Sequence, residues 1–281
     1  MDEARFLLLG RPTGHSVTPA IWDAVFQAAG RPWRFETRDV EHEAELDGIL
    51  AAILERTFPG AFVTMPYKGH AARAAQRHDD HVARCGVANL VLPDGGGLLA
   101  ANTDAAAVAQ IAGGRRFGHA LVLGSGGAAR GALSGLTGRV GRLTIASLDA
   151  EGARDLAGWA EREFPAVDLV DWDRRASIAP SGDLVVNATP LGMAGLDAEP
   201  ALPATSLGPD TWVYDFVYRP DGSPTPLQAA AGAAGAPLTD GAAHVETQAI
   251  LALPVLGLDP ALAALVSERT AAAFGRPPQR W

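Results

Sequence analysis

Short apolar runs alternate along this chain with longer stretches in which apolar positions recur every three to four residues. Runs at 6–9, 34–40, 61–65, 89–92 and 97–101 have the length of buried strands, and the last two flank a turn at 94–96. Segments 19–29, 43–54 and one from about residue 69 carry the spacing of amphipathic helices. A second series begins near residue 119, with strand-like runs at 120–123, 143–146, 167–170, 183–187 and 212–216. The Ala- and Gly-rich stretch 229–236 reads as a helix and its end, and helical patterns follow at 245–253 and 260–274. Repeated strand–helix units imply parallel sheets with helices on both faces. At 281 residues the chain exceeds the usual size of one core. The predicted fold class is α/β, in two domains.

Composition narrows the function. A net charge of −9 disfavours a nucleic-acid partner, which needs a basic face. Cys85 is the single cysteine, so neither an internal disulfide nor a thiolate metal cluster is expected. No apolar run approaches the ~20 residues of a membrane span, and the opening Met-Asp-Glu-Ala-Arg resembles neither a signal nor a transit peptide. A cytoplasmic protein with no membrane partner is expected. His78-Asp79-Asp80-His81 has the composition of a metal cluster, but nothing regular fixes its histidines. It is read as a solvated loop, and no metal is expected.

The strand pattern at 120–123 runs into Gly124-Ser125-Gly126-Gly127-Ala128-Ala129. This is a dinucleotide fingerprint with Ala in the third position. Gly124 permits the tight turn, Gly126 lacks the Cβ that would hold off a pyrophosphate, and a helix opening near Gly127 offers free N–H groups. The same turn can exist without a ligand, but its place between βα units favours the cofactor. Cofactor choice is set after the next strand, where the chain reads Ser147-Leu148-Asp149-Ala150-Glu151-Gly152. Asp149 either binds a ribose hydroxyl or caps the following helix. With no base before Arg154, a 2′-phosphate finds little positive charge, and NAD is expected over NADP.

Polar clusters mark strand ends in the first half: Gly10 to Pro19, Val63 to Lys68, Asn89, and Asn102-Thr103-Asp104. Ser16 and Thr18 stand at a helix start, where hydroxyls and free N–H groups suit a carboxylate. Lys68 and Asp104, if they converge, can move a proton to and from a hydroxyl while hydride leaves its carbon. Taken singly, each has an ordinary reading as a cap, a solvated cation or a turn residue.

Assembled in order, these clusters resemble the shikimate/quinate dehydrogenase family from end to end. Gly10 to Pro19 follows G-x-P-x-x-H-S-x-S-P with Thr18 for the second Ser. Val63, Thr64, Pro66 and Lys68 follow N-V-T-x-P-x-K, and Gly86 with Asn89 follows G-A-x-N-T. Further matches are Asn102-Thr103-Asp104, the glycine loop, Asn187-Ala188-Thr189-Pro190 with Gly192-Met193, Tyr214-Asp215 with Tyr218 and Thr225-Pro226-Leu227, and Asp240-Gly241 with Gln248. The resemblance implies a catalytic pair in Lys68 and Asp104. It implies substrate binders in Ser16, Thr18, Thr64, Asn89, Tyr218 and Gln248. It implies cofactor binders in Gly124, Ser125, Gly126, Gly127, Ala128, Asp149, Asn187, Thr189, Pro190 and Gly241.

The expected organisation is a discontinuous α/β substrate domain, 1–104 with 244–281, and a Rossmann-like cofactor domain, 105–243, with the substrate between them. The expected ligands are a small anionic cyclic substrate and NAD, or else NADP, and a homodimer is left open. Thr18 is similar to the quinate-accepting branch, and Ser147-Leu148-Asp149 to NAD-preferring members.

Four places depart from the family pattern: Phe62 for Asn, Leu90 for Thr, Trp22-Asp23 for His-Asn, and His244 for a Met near the nicotinamide, with Glu246 close behind. Phe62 is expected to remove a polar group near the substrate, and His244 either binds substrate, or else faces solvent or caps the helix at 245–253. Two alternatives stay open. One is the same chemistry on another cyclic carboxylate such as an aminoshikimate, and the other is a regulatory protein that binds cofactor without turnover.

Overall fold

The computed structural model describes residues 3–179, 182–193, 195–196 and 199–277. Its first sheet contains β1 (Ala4–Gly10), β2 (Trp33–Asp39), β3 (Ala61–Val63), β4 (Arg77–His78), β5 (Leu90–Asp94) and β6 (Gly97–Ala101) in the order β2-β1-β3-β5-β6-β4. β2, β1 and β3 are parallel, β5 runs against β3, β6 runs against β5, and β4 is parallel to β6. The two reversals bring the C-terminal ends of β1, β2, β3, β4 and β6 to the same edge as the start of β5. The helices of this part are α1 (Thr18–Ala28), α2 (Glu43–Leu54), α3 (Lys68–Ala74), α4 (Asp80–Cys85) and α5 (Thr103–Ala112).

Side chains alternate between the two faces of the sheet. Leu7, Leu9, Ala61 and Val63 pack with Leu46, Ile49, Leu50 and Ile53 of α2 on one face. Phe6, Phe35 and Phe62 meet Trp22 and Phe26 of α1 on the other, with ring centroids 5.3–6.5 Å apart.

The second sheet is parallel throughout. It contains β7 (Phe117–Leu123), β8 (Val140–Ala146), β9 (Val167–Val170), β10 (Leu184–Asn187), β11 (Trp212–Asp215) and β12 (Leu238–Thr239) in the order β12-β11-β10-β7-β8-β9. Strand order reverses between β7 and β10, which makes the end of β7 the topological switch point of a Rossmann-like sheet. Its helices are α6 (Gly127–Leu136), α7 (Ala150–Ala160), α8 (Arg175–Ile178) and α9 (Pro226–Ala234), followed by α10 (Gly241–Val255) and α11 (Ala263–Ala273). The α/β class read from the alternating pattern is the class observed.

The chain separates into two compact units, one reaching Ala107 and resuming at Glu246, the other Val108–Val245. The sequence reading put the boundaries at 104/105 and 243/244. The observed boundaries fall three and two residues later, and both sets lie inside the continuous helices α5 and α10. His244 consequently lies in the second unit. The elements β4, α4 and β12 are too short for the periodic pattern to reveal. The His78–His81 stretch corrects the solvated-loop reading: His78 ends β4 with Nε2 2.9 Å from the Ala72 carbonyl, and Asp79 caps α4.

A fully buried carboxylate organises the second unit. Asp215 Oδ1 accepts from Asn187 Nδ2 (2.9 Å) and Val217 N (3.1 Å), and its Oδ2 accepts from Thr225 Oγ1 (2.7 Å) and Gln228 Nε2 (3.1 Å). It thus ties β11 to the end of β10 and to the start of α9, where Thr225 and Gln228 form a capping box. Burial dominates over these donors and pushes its pKa up to about 6 from 3.8. The folded state therefore binds this proton more tightly than the unfolded chain does. Its contribution to stability is fully present below about pH 4 and is lost as pH rises through about 6. Asp215→Asn removes the titration. Urea unfolding should show the stability of wild type relative to this variant falling by about 2 kcal/mol between pH 4 and 7; a difference independent of pH would refute the assignment.

Gly241 opens α10 against the preceding chain. A Cβ there would lie 2.5 Å from the Val217 carbonyl oxygen and 2.7 Å from that of Phe216. Both obstacles are backbone and cannot swing aside, so Gly241→Ala should cost ~1–3 kcal/mol in chemical denaturation. Unchanged stability would show that this close approach does not constrain the fold.

Candidate active site

The shared edge of the first sheet gathers the polar clusters. After β1 the chain leaves through Arg11, whose N–H donates to the Met65 carbonyl (2.9 Å), so the loop before α1 lies beside the turn that follows β3. Thr13 anchors that loop, with its N and Oγ1 both donating to Asp39 Oδ1 at 2.7 and 2.6 Å. These bonds hold the Asp39 carboxyl below the ordinary range. Burial lowers the pKa of the half-buried His15, partly opposed by Asp39. Ser16 Oγ and Thr18 Oγ1 lie 2.6 Å apart at the start of α1, and Ser16 Oγ also accepts from Thr18 N at 3.2 Å. Two hydroxyls at that spacing can each donate to one oxygen of a ligand carboxylate.

Lys68 is the first residue of α3, and its Nζ donates to Asp104 Oδ2 at 2.6 Å, with both side chains 12% exposed. The pair is largely sheltered from bulk water. Thr64 precedes it in the same turn, with its N–H on the Leu9 carbonyl (2.8 Å) and its carbonyl accepting from Tyr67 N (3.0 Å).

Beside the pair runs a buried amide–hydroxyl chain. Asn89 Nδ2 donates to Thr103 Oγ1 (2.8 Å), Thr103 N donates back to Asn89 Oδ1 (2.8 Å), and Thr103 Oγ1 donates to Gln248 Oε1 of α10 (2.9 Å). Ser16, Thr18, Thr64, Lys68, Asn89, Asp104 and Gln248 therefore all belong to the first unit, along one sheet edge and the helix that meets it. Thr103, the hub of this chain, stands inside the N-T-D motif but had no signal of its own, since Thr beside a helix start reads as a cap.

In the second unit, β7 runs into Gly124, whose φ of +97° suits glycine and where a Cβ would lie 3.0 Å from the Ala188 carbonyl oxygen. Gly126 is the N-cap of α6 with no side-chain cap bond, and a Cβ there would meet open space. Gly127 and Ala128 begin that helix, so their N–H groups have no acceptor within it. This is a cradle in which backbone donors can reach a pyrophosphate, and the residues present fit a dinucleotide.

Ser125 Oγ lies 3.0 Å from Ser147 Oγ, which accepts from Asp149 N at 3.2 Å. Asp149 caps α7 through its Oδ1 and Gly152 N (3.0 Å), and its Oδ2 has no partner among the described residues. The two readings of Asp149, cap and ribose binder, are thus compatible. Leu148, between Ser147 and Asp149, is 76% exposed. Asn187 Oδ1 accepts from Thr189 N and Oγ1 (3.2 and 2.6 Å), shaping the turn that leads to the exposed Pro190.

Two expectations, at His244 and Phe62, meet different surroundings. Tyr218 and His244 both lie in the second unit. His244 is 5% exposed, with Nδ1 2.8 Å from the Tyr214 hydroxyl and its ring centroid 4.4 Å from that of Phe216. Phe62 does not border an open polar space: it is 4% exposed inside the aromatic cluster, 5.3 Å from Trp22, and Leu90 is its buried partner on β5. Among the described residues no group of three or more His, Cys, Asp or Glu could hold a metal ion, and no helix is long and apolar enough to cross a membrane.

Comparison with known proteins places this arrangement. Residues 8–91 match the model of the shikimate dehydrogenase substrate binding domain. A shikimate dehydrogenase (NADP(+)) of Exiguobacterium sibiricum is 33% identical over 240 residues, covering 84% of this chain and 86% of the relative. One of Rhodopseudomonas palustris is 34% identical over 255 residues, covering 86% of each. Among solved structures, quinate dehydrogenase of Corynebacterium glutamicum in complex with NAD superposes with a TM-score of 0.82 at 28% identity, over 97% of this chain and 100% of that one. Shikimate 5-dehydrogenase of Thermus thermophilus in complex with NADP(H) and shikimate gives 0.78 at 30%, over 96% and 99%. With relatives this similar across most of both chains, and the family's motifs gathered at one sheet edge and one glycine turn, the chain belongs to the shikimate dehydrogenase family of oxidoreductases.

Proposed function

We propose that this chain is an NAD-preferring dehydrogenase that interconverts a ring hydroxyl and a ketone on a shikimate- or quinate-like cyclic carboxylic acid. The observation that carries the reading is the sheltered 2.6 Å pair of Lys68 and Asp104 on the sheet edge that also bears Ser16, Thr18, Thr64 and Asn89. The first unit is the substrate-binding domain and the second holds the dinucleotide. The Ser16 and Thr18 hydroxyls bind the substrate carboxylate, and Thr64, Asn89 and Gln248 orient the ring hydroxyls. In the reductive direction Lys68 Nζ gives a proton to the carbonyl oxygen while Asp104 holds the ammonium in place. In the oxidative direction the proton returns along the same path. A bound nicotinamide supplies or accepts the hydride.

The α6 N–H groups bind the pyrophosphate, and Asp149 Oδ2 is available to a ribose hydroxyl. The cofactor preference rests on Leu148 and Asp149, which present an apolar and an acidic group to any 2′-phosphate. The NAD complex of the quinate dehydrogenase neighbour supports this preference, whereas the curated relatives are named for NADP(+). Initial rates with shikimate and quinate, each with NAD and NADP, test the whole reading. NAD binding with no turnover on either acid would defeat it.

Lys68→Ala should lower kcat by ~10²–10⁴-fold with little change in substrate KM, since a proton-transferring group acts mainly in the transition state. A kcat within about threefold of wild type, on the scale of that expected loss, would remove Lys68 from the mechanism. For the cofactor, the absence of a charge-assisted phosphate contact should favour NAD in kcat/KM on the order of tenfold or more. Equal efficiency with both cofactors would count against the role given to residues 147–149.

A further inference from the structure

Asp79 lies one strand away from the Lys68–Asp104 pair, at the end of β4, and both of its carboxylate oxygens are engaged. Oδ1 accepts from Val82 N at 2.7 Å and caps α4, and Oδ2 accepts from Asn102 N at 2.8 Å. Its own N–H donates to the Ala100 carbonyl at 3.0 Å, which fixes the carboxylate beside the end of β6.

Asn102 is 1% exposed and is held a second time. Its Nδ2 donates to the Val87 carbonyl at 2.8 Å, just beyond the Gly86 that ends α4. The short helix α4 is therefore a brace that grips Asn102 from both of its ends. Asn102 Oδ1 in turn accepts from Ala105 N at 2.9 Å and caps α5, whose first two residues are Thr103 and Asp104. The segment after α4 also reaches the other partner, since Ala88 N donates to the Lys68 carbonyl at 2.9 Å.

We infer that Asp79 is a positioning residue for the reaction: by accepting the Asn102 N–H it sets the start of α5 and thereby the placement of the Asp104 carboxylate against Lys68. This rests on the proposed role of that pair. A buried N–H without its acceptor is costly, so when Asp79 Oδ2 is lost the Asn102 backbone must move to find another partner. A shift of a few tenths of an ångström to 1 Å at a proton-transferring group is enough to cost one to two orders of magnitude in rate. A merely structural cap would act through the stability of α4 and leave turnover in the folded enzyme unchanged.

Two substitutions separate brace from cap. Asp79→Asn and Asp79→Ser both retain an oxygen that can cap α4. Asn turns an N–H₂ toward the Asn102 N–H, and the single Ser oxygen cannot serve both donors. Asp80→Asn is the control: Asp80 is exposed in the first turn of the same helix, and among the described residues it makes no bond to Asn102. Asp104→Asn reports whether the pair matters at all.

Steady-state kinetics on shikimate and quinate with NAD and NADP, together with hydrogen–deuterium exchange over residues 102–105, should give one pattern. Both Asp79 variants lose about tenfold or more in kcat, keep substrate and cofactor KM close to wild type, and exchange faster at 102–105, while Asp80→Asn matches wild type in all three. The inference is overturned if the Asp79 variants keep wild-type kcat and exchange while Asp104→Asn loses turnover. It is equally overturned if KM rises and kcat does not, or if Asp80→Asn shows the same loss. Wild-type turnover in Asp104→Asn would instead fail the catalytic pair itself, and the positioning role would fall with it.

Discussion

Asn89 and Thr103 hold each other at both ends, and the first unit's chemistry hangs on that exchange. Each is almost wholly buried, so each must satisfy its amide or hydroxyl within the protein. The two bonds between them, with a third from Thr103 to Gln248, do so while joining the start of β5, the start of α5 and the middle of α10. Asp104 is the next residue after Thr103, and Lys68 is tied to the residue before Asn89 through its carbonyl. The Lys68–Asp104 ion pair is thus suspended from a buried polar network.

The second unit solves the same problem with a charge. Asp215 sits where β10, β11 and the start of α9 come together, and its four donors compensate its burial only in part. What the arrangement secures is the turn after β10. Asn187 is held by Asp215 through Nδ2 and holds Thr189 through Oδ1, so the chain segment facing the glycine turn inherits its shape from a buried carboxylate.

The departures from the family pattern fall largely into packing. Phe62 and Trp22 touch each other in one aromatic cluster, so an apolar pair stands where the family pattern is polar on both sides. Asp23, next to Trp22, accepts the Phe35 N–H of β2 at 2.7 Å and fastens α1 to the sheet. Leu90 lies across from Phe62 on the neighbouring strand and shares its face. His244 caps no helix; its ring lies between Tyr214 and Phe216, with Nδ1 on the Tyr214 hydroxyl.

The linear chain by itself carried the α/β class, most strands, the glycine turn and the clusters of polar residues, because these depend on local periodicity and on chemistry that neighbouring residues share. It also carried Lys68, Asp104, Ser16 and Thr18 as candidates, since each stands at a recognisable strand-to-helix turn. It was silent on the elements of two to six residues, β4, α4 and β12, which are too short to show a period. It misread Asp79, whose two bonds go to Val82 three residues on and to Asn102, 23 residues away. It also gave Phe62 a place beside the substrate. Only the pleat of β3 decided otherwise, by turning that side chain to the aromatic face while Val63 faces α2. The antiparallel entry of β5 is likewise a tertiary fact: strand direction is invisible in a hydrophobic pattern, yet it alone brings Asn89 to the edge where Thr64, Asp79 and Asn102 already end their strands.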